Sequence, residues 1–329
     1  MTVIAVLGAG SWGTALAIHL ARCGHRVLLW GHDPAQLARI ASERVNARYL
    51  PGIPLAEAIE PSASLAQAQR SADELLLAVP SHAFRDTIAA LGPDVRRLAW
   101  ATKGLEPGTG RMLHEVAGEL LADGAQLAAL SGPSFAGEVA RGLPTAVTVA
   151  SNQPSFADRV AEMVHGGRFR AYSSSDLVGV GLGGAVKNVI AIAAGMADGL
   201  GLGANSRAAL VTRGLAEIMR LGQKLGARSE TLMGLAGLGD LVLTATDDQS
   251  RNRRFGLLLA EGRSADAAAA AIGQVVEGAR TAAALRLLAR QHRVEMPISE
   301  QVFRVLEDGV PPPDAVAALM ERARRSEQD

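Results

Sequence analysis

Val3-Ile4-Ala5-Val6-Leu7-Gly8-Ala9-Gly10-Ser11-Trp12-Gly13 is the stretch on which the fold of this chain turns. Five apolar residues in a row read as a buried strand, and helical periodicity follows over 11–23. Between them, Gly8 supplies a tight turn, Gly10 lets the backbone approach a pyrophosphate, and Gly13 lets helix pack closely on strand. The helix N-terminus offers free N–H groups to phosphate oxygens. A strand–loop–helix setting makes this a nucleotide site rather than a plain glycine turn.

Working outward, short apolar runs recur at 26–30, 75–79, 98–101, 127–131 and 146–150, with helical stretches at 34–45, 83–91 and 110–121. A helix over 154–164 and a strand over 168–172 complete the series. Continuous apolar strands separated by helices predict an α/β, Rossmann-type doubly wound sheet, mainly parallel. After about Asp176 the strand pattern stops. Helical periodicity then covers 180–200, 206–225, 253–261, 265–272, 278–292, 298–307 and 313–325, with caps at Ser264 and Pro312-Pro313-Asp314 and terminal glycines at Gly226 and Gly262. The expected domains are a nucleotide-binding unit, 1–178, and an all-α unit, 179–329; residues 326–329 read as disordered.

Hydrophobic residues make up 48% of the chain but aromatics only 3%, so alanine fills much of the helical interior. Formal charge is zero, which leaves no broad basic field for nucleic acid or an anionic membrane. The single cysteine, Cys23, has no internal disulfide partner and fits a reducing compartment. The N-terminus enters structure without a basic region, so no signal peptide is expected and the compartment expected is the cytoplasm.

Residues 177–197 contain one formal charge, Lys187, among small apolar residues. The run is long enough to suggest a membrane span. Five glycines and a central lysine argue instead for a buried central helix and against stable membrane insertion. A buried ammonium requires an anionic partner or is poised to exchange a proton. Lys187, Ala191, Ala194 and Asp198 share one helical face, with Asn188 next to it.

Ligands of such sheets bind outside the C-terminal strand ends. The second strand ends in Trp30-Gly31-His32-Asp33, without a carboxylate nearest the ribose. His32, with Arg39, suits a 2′-phosphate, whereas Asp33 either reaches a ribose or caps the next helix. The balance favours NADPH, with NADH open. Lys103 and Ser131-Gly132-Pro133-Ser134-Phe135-Ala136 follow later strands, and Ser250-Arg251-Asn252 offers hydroxyl, guanidinium and amide donors to a phosphate. The seven histidines are scattered, so no metal site is expected.

The block Gly184-Ala185-Val186-Lys187-Asn188-Val189-Ile190-Ala191-Ile192-Ala193-Ala194-Gly195, continuing through Asp198-Gly199 to Gly203-Ala204-Asn205, resembles the signature of NAD(P)-dependent glycerol-3-phosphate dehydrogenase of the bacterial type. In order with it stand GAGSWG at 8–13, Tyr49-Leu50-Pro51-Gly52, ATKGLE at 101–106, SGPSFAGEVA at 131–140, GLGDLVLT at 237–244, SRN at 250–252 and VVEG at 275–278. The resemblance implies reversible hydride transfer between NAD(P)H and dihydroxyacetone phosphate, giving sn-glycerol 3-phosphate for phospholipid synthesis. It implies Lys187 as general acid and base, with Lys103 touching substrate and cofactor. Gly132, Ser134, Asp240, Ser250, Arg251 and Asn252 would hold substrate. Gly8, Gly10, Gly13, Ser11, Trp12, His32, Tyr49, Lys103, Ala136, Arg251, Val275 and Glu277 would line the cofactor, NADP(H) or NAD(H). It also implies a homodimer. The spacing from Asp240 to Arg251 departs from the eukaryotic pattern.

Burial and Lys103 would lower the Lys187 pKa, while Asp240 and a substrate phosphate would raise it. The competing functions are another hydroxy-acid dehydrogenase of similar architecture and a non-catalytic NAD(P)-sensing regulator.

Overall fold

Strands that are apolar on both faces need cover on both, and the helices between them supply it. A computed structural model describes residues 1–321. Its eight strands are β1 Val3–Leu7, β2 Arg26–Trp30, β3 Ile59–Ser62, β4 Glu74–Leu77, β5 Arg97–Trp100, β6 Gln126–Ser131, β7 Thr145–Ser151 and β8 Phe169–Ser174. They form one sheet in the order β3-β2-β1-β4-β5-β6-β7-β8. β1 pairs in parallel with both β2 and β4, so the strand order reverses beside the glycine-rich turn, where this architecture opens a crevice. Alternate β1 residues serve opposite faces: Ile4 and Val6 join one core cluster, Ala5 and Leu7 the other.

Every expected strand is present within one or two residues. β3 was not foreseen, because Ile59-Glu60-Pro61-Ser62 has one large apolar residue and a proline. It is tolerated at the sheet edge, where it pairs with β2 alone. The short helices Leu65–Ser71 and Ala136–Arg141 also escaped the periodicity argument. β7 runs antiparallel to β6, with Leu130 opposite Val149, and β8 runs parallel to β7.

The long helix Leu177–Gly199 follows β8 and packs against β6 and β7, with Gly184 set against Ser131 at the end of β6. Asp176 begins it by accepting from Gly179 N at 2.8 Å, and it also accepts from Arg228 N at 2.8 Å. The helix has the length and hydropathy of a membrane span, yet 89% of its apolar window is buried. Around it pack Gly203–Leu225, Arg251–Ala260, Glu277–Gln291 and Pro297–Glu307. The small residues make these approaches possible: a Cβ at Gly195 would lie 2.0 Å from the Arg253 carbonyl oxygen, and one at Gly256 2.2 Å from that of Ile192.

Three further elements were not anticipated: Ser229–Met233, the π-helical turn Leu235–Gly239 and the helix Asp240–Thr246. Each is too short for a periodic signal. The last helix among the described residues is Pro312–Met320; the rest of its expected extent, 322–325, and the tail 326–329 lie outside them.

Candidate active site

The turn after β1 is a cradle that side chains would fill. Gly8 has φ +130°, and a Cβ there would lie 2.6 Å from Ala78 O, while one on Gly13 would meet Gly8 O at 1.8 Å. Gly10, by contrast, faces open space to beyond 4 Å. It also precedes the helix Ser11–Arg22 without a side-chain cap, leaving first-turn N–H groups for a ligand. The cradle therefore fits a dinucleotide pyrophosphate. Ser11 Oγ donates to Tyr49 O at 2.8 Å and Gln274 Oε1 at 3.1 Å, and the Tyr49 ring lies under the Arg48 guanidinium at 5.1 Å. Trp12 is half-buried against the sheet core, alongside Ala136.

At the end of β2, Asp33 accepts from Gln36 N at 3.1 Å and Ala35 N at 3.0 Å, capping the helix Pro34–Glu43. Those amides hold its carboxyl below the usual carboxylate range. Of the two roles open to Asp33, the cap is the one observed. His32 is exposed beside it.

At the ends of β5 and β6 two ammonium groups share one carboxylate. Lys187 Nζ donates to Asp240 Oδ1 at 2.5 Å and Thr244 Oγ1 at 2.8 Å. Lys103 Nζ donates to Asp240 Oδ2 at 2.6 Å and Gly132 O at 3.2 Å. Asp240 is 2% exposed, Lys187 8% and Lys103 17%, so Lys103 is the more open cation. Burial lowers the Lys187 pKa to about 8; Asp240 opposes the shift and Lys103 adds to it. Burial disfavours charge on Asp240, but the two ammonium groups together keep its carboxyl below the ordinary range. With both lysines protonated the trio carries one net positive charge, suited to a developing anion.

Local structure fixes these groups. Asp240 opens the helix Asp240–Thr246, so Thr244 one turn on faces the same lysine and donates to Asp240 O at 2.6 Å. Gly132, at φ +150°, presents its carbonyl to Lys103 and also to Ser134 Oγ at 2.9 Å. A Cβ at Gly184 would lie 2.7 Å from Ser131 Oγ, so glycine one turn before Lys187 lets the helix meet the sheet. The Lys103 loop is braced by Thr102 Oγ1 on Val79 O at 2.8 Å and by Glu106, which accepts from Arg85 Nε and Thr109 Oγ1, each at 2.5 Å.

The later motifs lie beside these groups: the Arg251 guanidinium also lowers the Lys187 pKa, and Glu277 Oε2 would lie 3.5 Å from a Cβ on Gly104. Ser250 Oγ caps the helix Arg251–Ala260, accepting from Arg253 N at 3.2 Å. Arg251 Nη1 donates to Gln274 Oε1 at 3.2 Å, the oxygen also used by Ser11. The Asn252 amide joins three helices: its Nδ2 donates to Asn188 Oδ1 and its Oδ1 accepts from Gly278 N, both at 2.9 Å. Glu277 accepts from Ser81 Oγ at 2.8 Å and Ser81 N at 3.3 Å, and burial raises its pKa. Val275 lies half-buried on the same segment.

Family comparison agrees with this geometry along most of the chain. Residues 3–157 match the N-terminal and 176–317 the C-terminal part of NAD-dependent glycerol-3-phosphate dehydrogenase. The chain belongs to this family. An NAD(P)+ glycerol-3-phosphate dehydrogenase of Thioalkalivibrio sulfidiphilus is 59% identical over 327 residues, 98% of either chain. The crystal structure of glycerol-3-phosphate dehydrogenase from Coxiella burnetii superposes with TM-score 0.94 at 49% identity, covering 98% of this chain and 99% of that one. The Saccharomyces cerevisiae enzyme gives TM-score 0.82 at 26% identity, over 98% and 99%. The protein is thus an oxidoreductase that binds NAD(P).

For this dehydrogenase, sequence reasoning did not single out Thr244, Gln274 or Ser81. Thr244 was detectable from its i+4 spacing to Asp240; Gln274 and Ser81 meet their partners only through tertiary contact. No group of three or more His, Cys, Asp or Glu side chains able to hold a metal ion occurs among the described residues.

Proposed function

We propose that the protein reversibly reduces dihydroxyacetone phosphate to sn-glycerol 3-phosphate, feeding glycerophospholipid synthesis, with Lys187 as the proton donor. The observation that carries this reading is the pairing of Lys187 and Lys103 on the single buried carboxylate of Asp240. Ser11, Trp12, His32, Tyr49, Ala136, Arg251, Val275 and Glu277 would hold NAD(P)H, which supplies the hydride when bound. As the substrate carbonyl gains negative charge, a preorganised ammonium stabilises and then protonates it. A pKa of about 8 keeps Lys187 mostly charged at neutral pH while easing release of the proton. Asp240 orients both lysines, and Thr244 fixes Lys187 from the other side. Lys103 would contact substrate and cofactor; Gly132, Ser134, Ser250, Arg251 and Asn252 would bind the remainder of the substrate, the phosphate included.

The division of labour would run between a nucleotide-binding unit, 1–178, and a helical substrate unit, 179–329. The last strand, Phe169–Ser174, lies just before that boundary. A cytoplasmic homodimer completes the reading; a solution mass near 34.1 kDa would rule the dimer out. NADPH oxidation should proceed with dihydroxyacetone phosphate and not with ketopantoate, separating this function from that of a hydroxy-acid dehydrogenase or a silent NAD(P) sensor. With Asp33 committed to its cap, kcat/KM should favour NADPH over NADH. His32→Ala should narrow that preference.

A further inference from the structure

Asp198 lies three turns beyond Lys187 on the same helix and the same face. Its carboxylate is 9% exposed and has no part in the reaction described above. Oδ2 accepts from Arg253 Nη2 at 2.6 Å and Nε at 3.0 Å, while Oδ1 accepts from Arg207 Nη1 at 2.8 Å. The Arg253 guanidinium, 11% exposed, also grips Asp248 through Nη1. It therefore spans from the Lys187 helix to the turn just before Ser250. The Arg253 backbone closes the same unit, donating its N–H to Ser250 Oγ at 3.2 Å, and its carbonyl nests against Gly195. A charge-assisted pair this sheltered from water holds geometry better than an exposed one. The 250–252 segment cannot shift along the helix without breaking it.

We propose that Asp198 is a positioning residue for the substrate-phosphate subsite, holding Ser250, Arg251 and Asn252 at a set distance from Lys187 through Arg253. The inference rests on the assignment of that segment to the phosphate. Displacement of a binding group by a fraction of an ångström should weaken phosphate binding without removing the acid.

The test compares KM for dihydroxyacetone phosphate, Ki for inorganic phosphate as competing anion, KM for NADPH, and kcat. Asp198→Asn should raise the first two by about tenfold or more, with a smaller rise in KM for NADPH through Arg251 and kcat much less affected. Arg253→Gln should do the same, and the double variant should be no worse than the more affected single one, because both break the Asp198–Arg253 link. If Asp198→Asn does not fold, Arg253→Gln carries the test alone. Arg207→Gln should leave all four constants unchanged, since Arg253 keeps its oxygen. Unchanged Ki for phosphate in the Asp198 and Arg253 variants, or a fall in kcat alone, overturns the inference. Arg251→Ala provides the reference. If it too leaves KM and Ki unchanged, the phosphate assignment fails and the inference with it; if it shifts them while Asp198→Asn does not, only the inference fails.

Discussion

Lys187 donates to Asp240 across 2.5 Å, from the middle of one helix to the first residue of another 53 positions later in the chain. An ammonium this deeply buried would be strongly destabilising alone. The carboxylate offsets that cost only in part, because burial is the largest influence on the lysine and Lys103 stands on the other oxygen. The outcome is a cation whose proton is held loosely enough to transfer.

Lys187→Ala should lower kcat by about 10²–10⁴-fold, the usual range for loss of a positioned general acid. Affinity for NADPH, followed by fluorescence titration, should stay near that of the unaltered protein, since the glycine-rich cradle is intact. Turnover close to the original would remove Lys187 from the chemistry.

The same group sets the pH dependence. Reduction needs the protonated lysine, so kcat/KM for dihydroxyacetone phosphate should be level below pH 8 and fall above it, as the lysine pKa of about 8 is passed. Oxidation of glycerol 3-phosphate needs the neutral form and should rise through the same region. Profiles in the two directions that move together with pH would contradict this assignment.

Stability should respond to pH through a different carboxyl. Glu217 accepts from Ile298 N at 2.6 Å, Ser299 Oγ at 2.9 Å and Ser299 N at 3.2 Å, and burial pushes its pKa up to about 7 from the ordinary 4.5. The folded protein thus holds a proton that the unfolded chain releases. This contribution is fully present below pH 4.5 and is lost as pH rises through about 7, on the order of 1–3 kcal/mol in all. Glu217→Gln should flatten the change in urea midpoint between pH 5 and pH 8. An equally steep change in that variant would assign the effect to other groups.

Two glycines on helices should respond oppositely to alanine. Gly118 is exposed with nothing within 4 Å of an added Cβ, so Gly118→Ala should stabilise by about 0.5–1 kcal/mol through helix propensity. Gly195→Ala gains the same propensity but drives a methyl to 2.0 Å from Arg253 O. Overpacking against backbone should dominate there, for a net loss of about 1–3 kcal/mol. Thermal unfolding of the pair decides the matter.

The sequence revealed what depends on local pattern. β1, the glycine turn and the helix Ser11–Arg22 announced themselves because each glycine has a steric reason written into the strand–loop–helix order. Lys187 stood out because a charge in an apolar run is conspicuous. Pattern failed where tertiary pairing decides: β3 holds its place through β2, and the Asp240 helix is only seven residues long. Asp33 was ambiguous, since both roles suit the same residue type and only the direction of its carboxylate separates them. Asn252 stands in the segment that suits a phosphate, and its amide also ties three helices together, a contact made only through tertiary packing. No spacing rule distinguishes a donor turned toward substrate from one turned toward a neighbouring helix.

The Lys103–Asp240 bond spans 137 positions of chain and the Lys187–Asp240 bond 53. Closing loops of that length comes late in folding, after local helices and hairpins have formed. No fragment carrying only one of the three residues can hold the shared Lys103–Asp240–Lys187 arrangement. Recovery of turnover after dilution from denaturant will therefore lag the recovery of helical signal, and will time the moment at which sheet and helical layers finally dock.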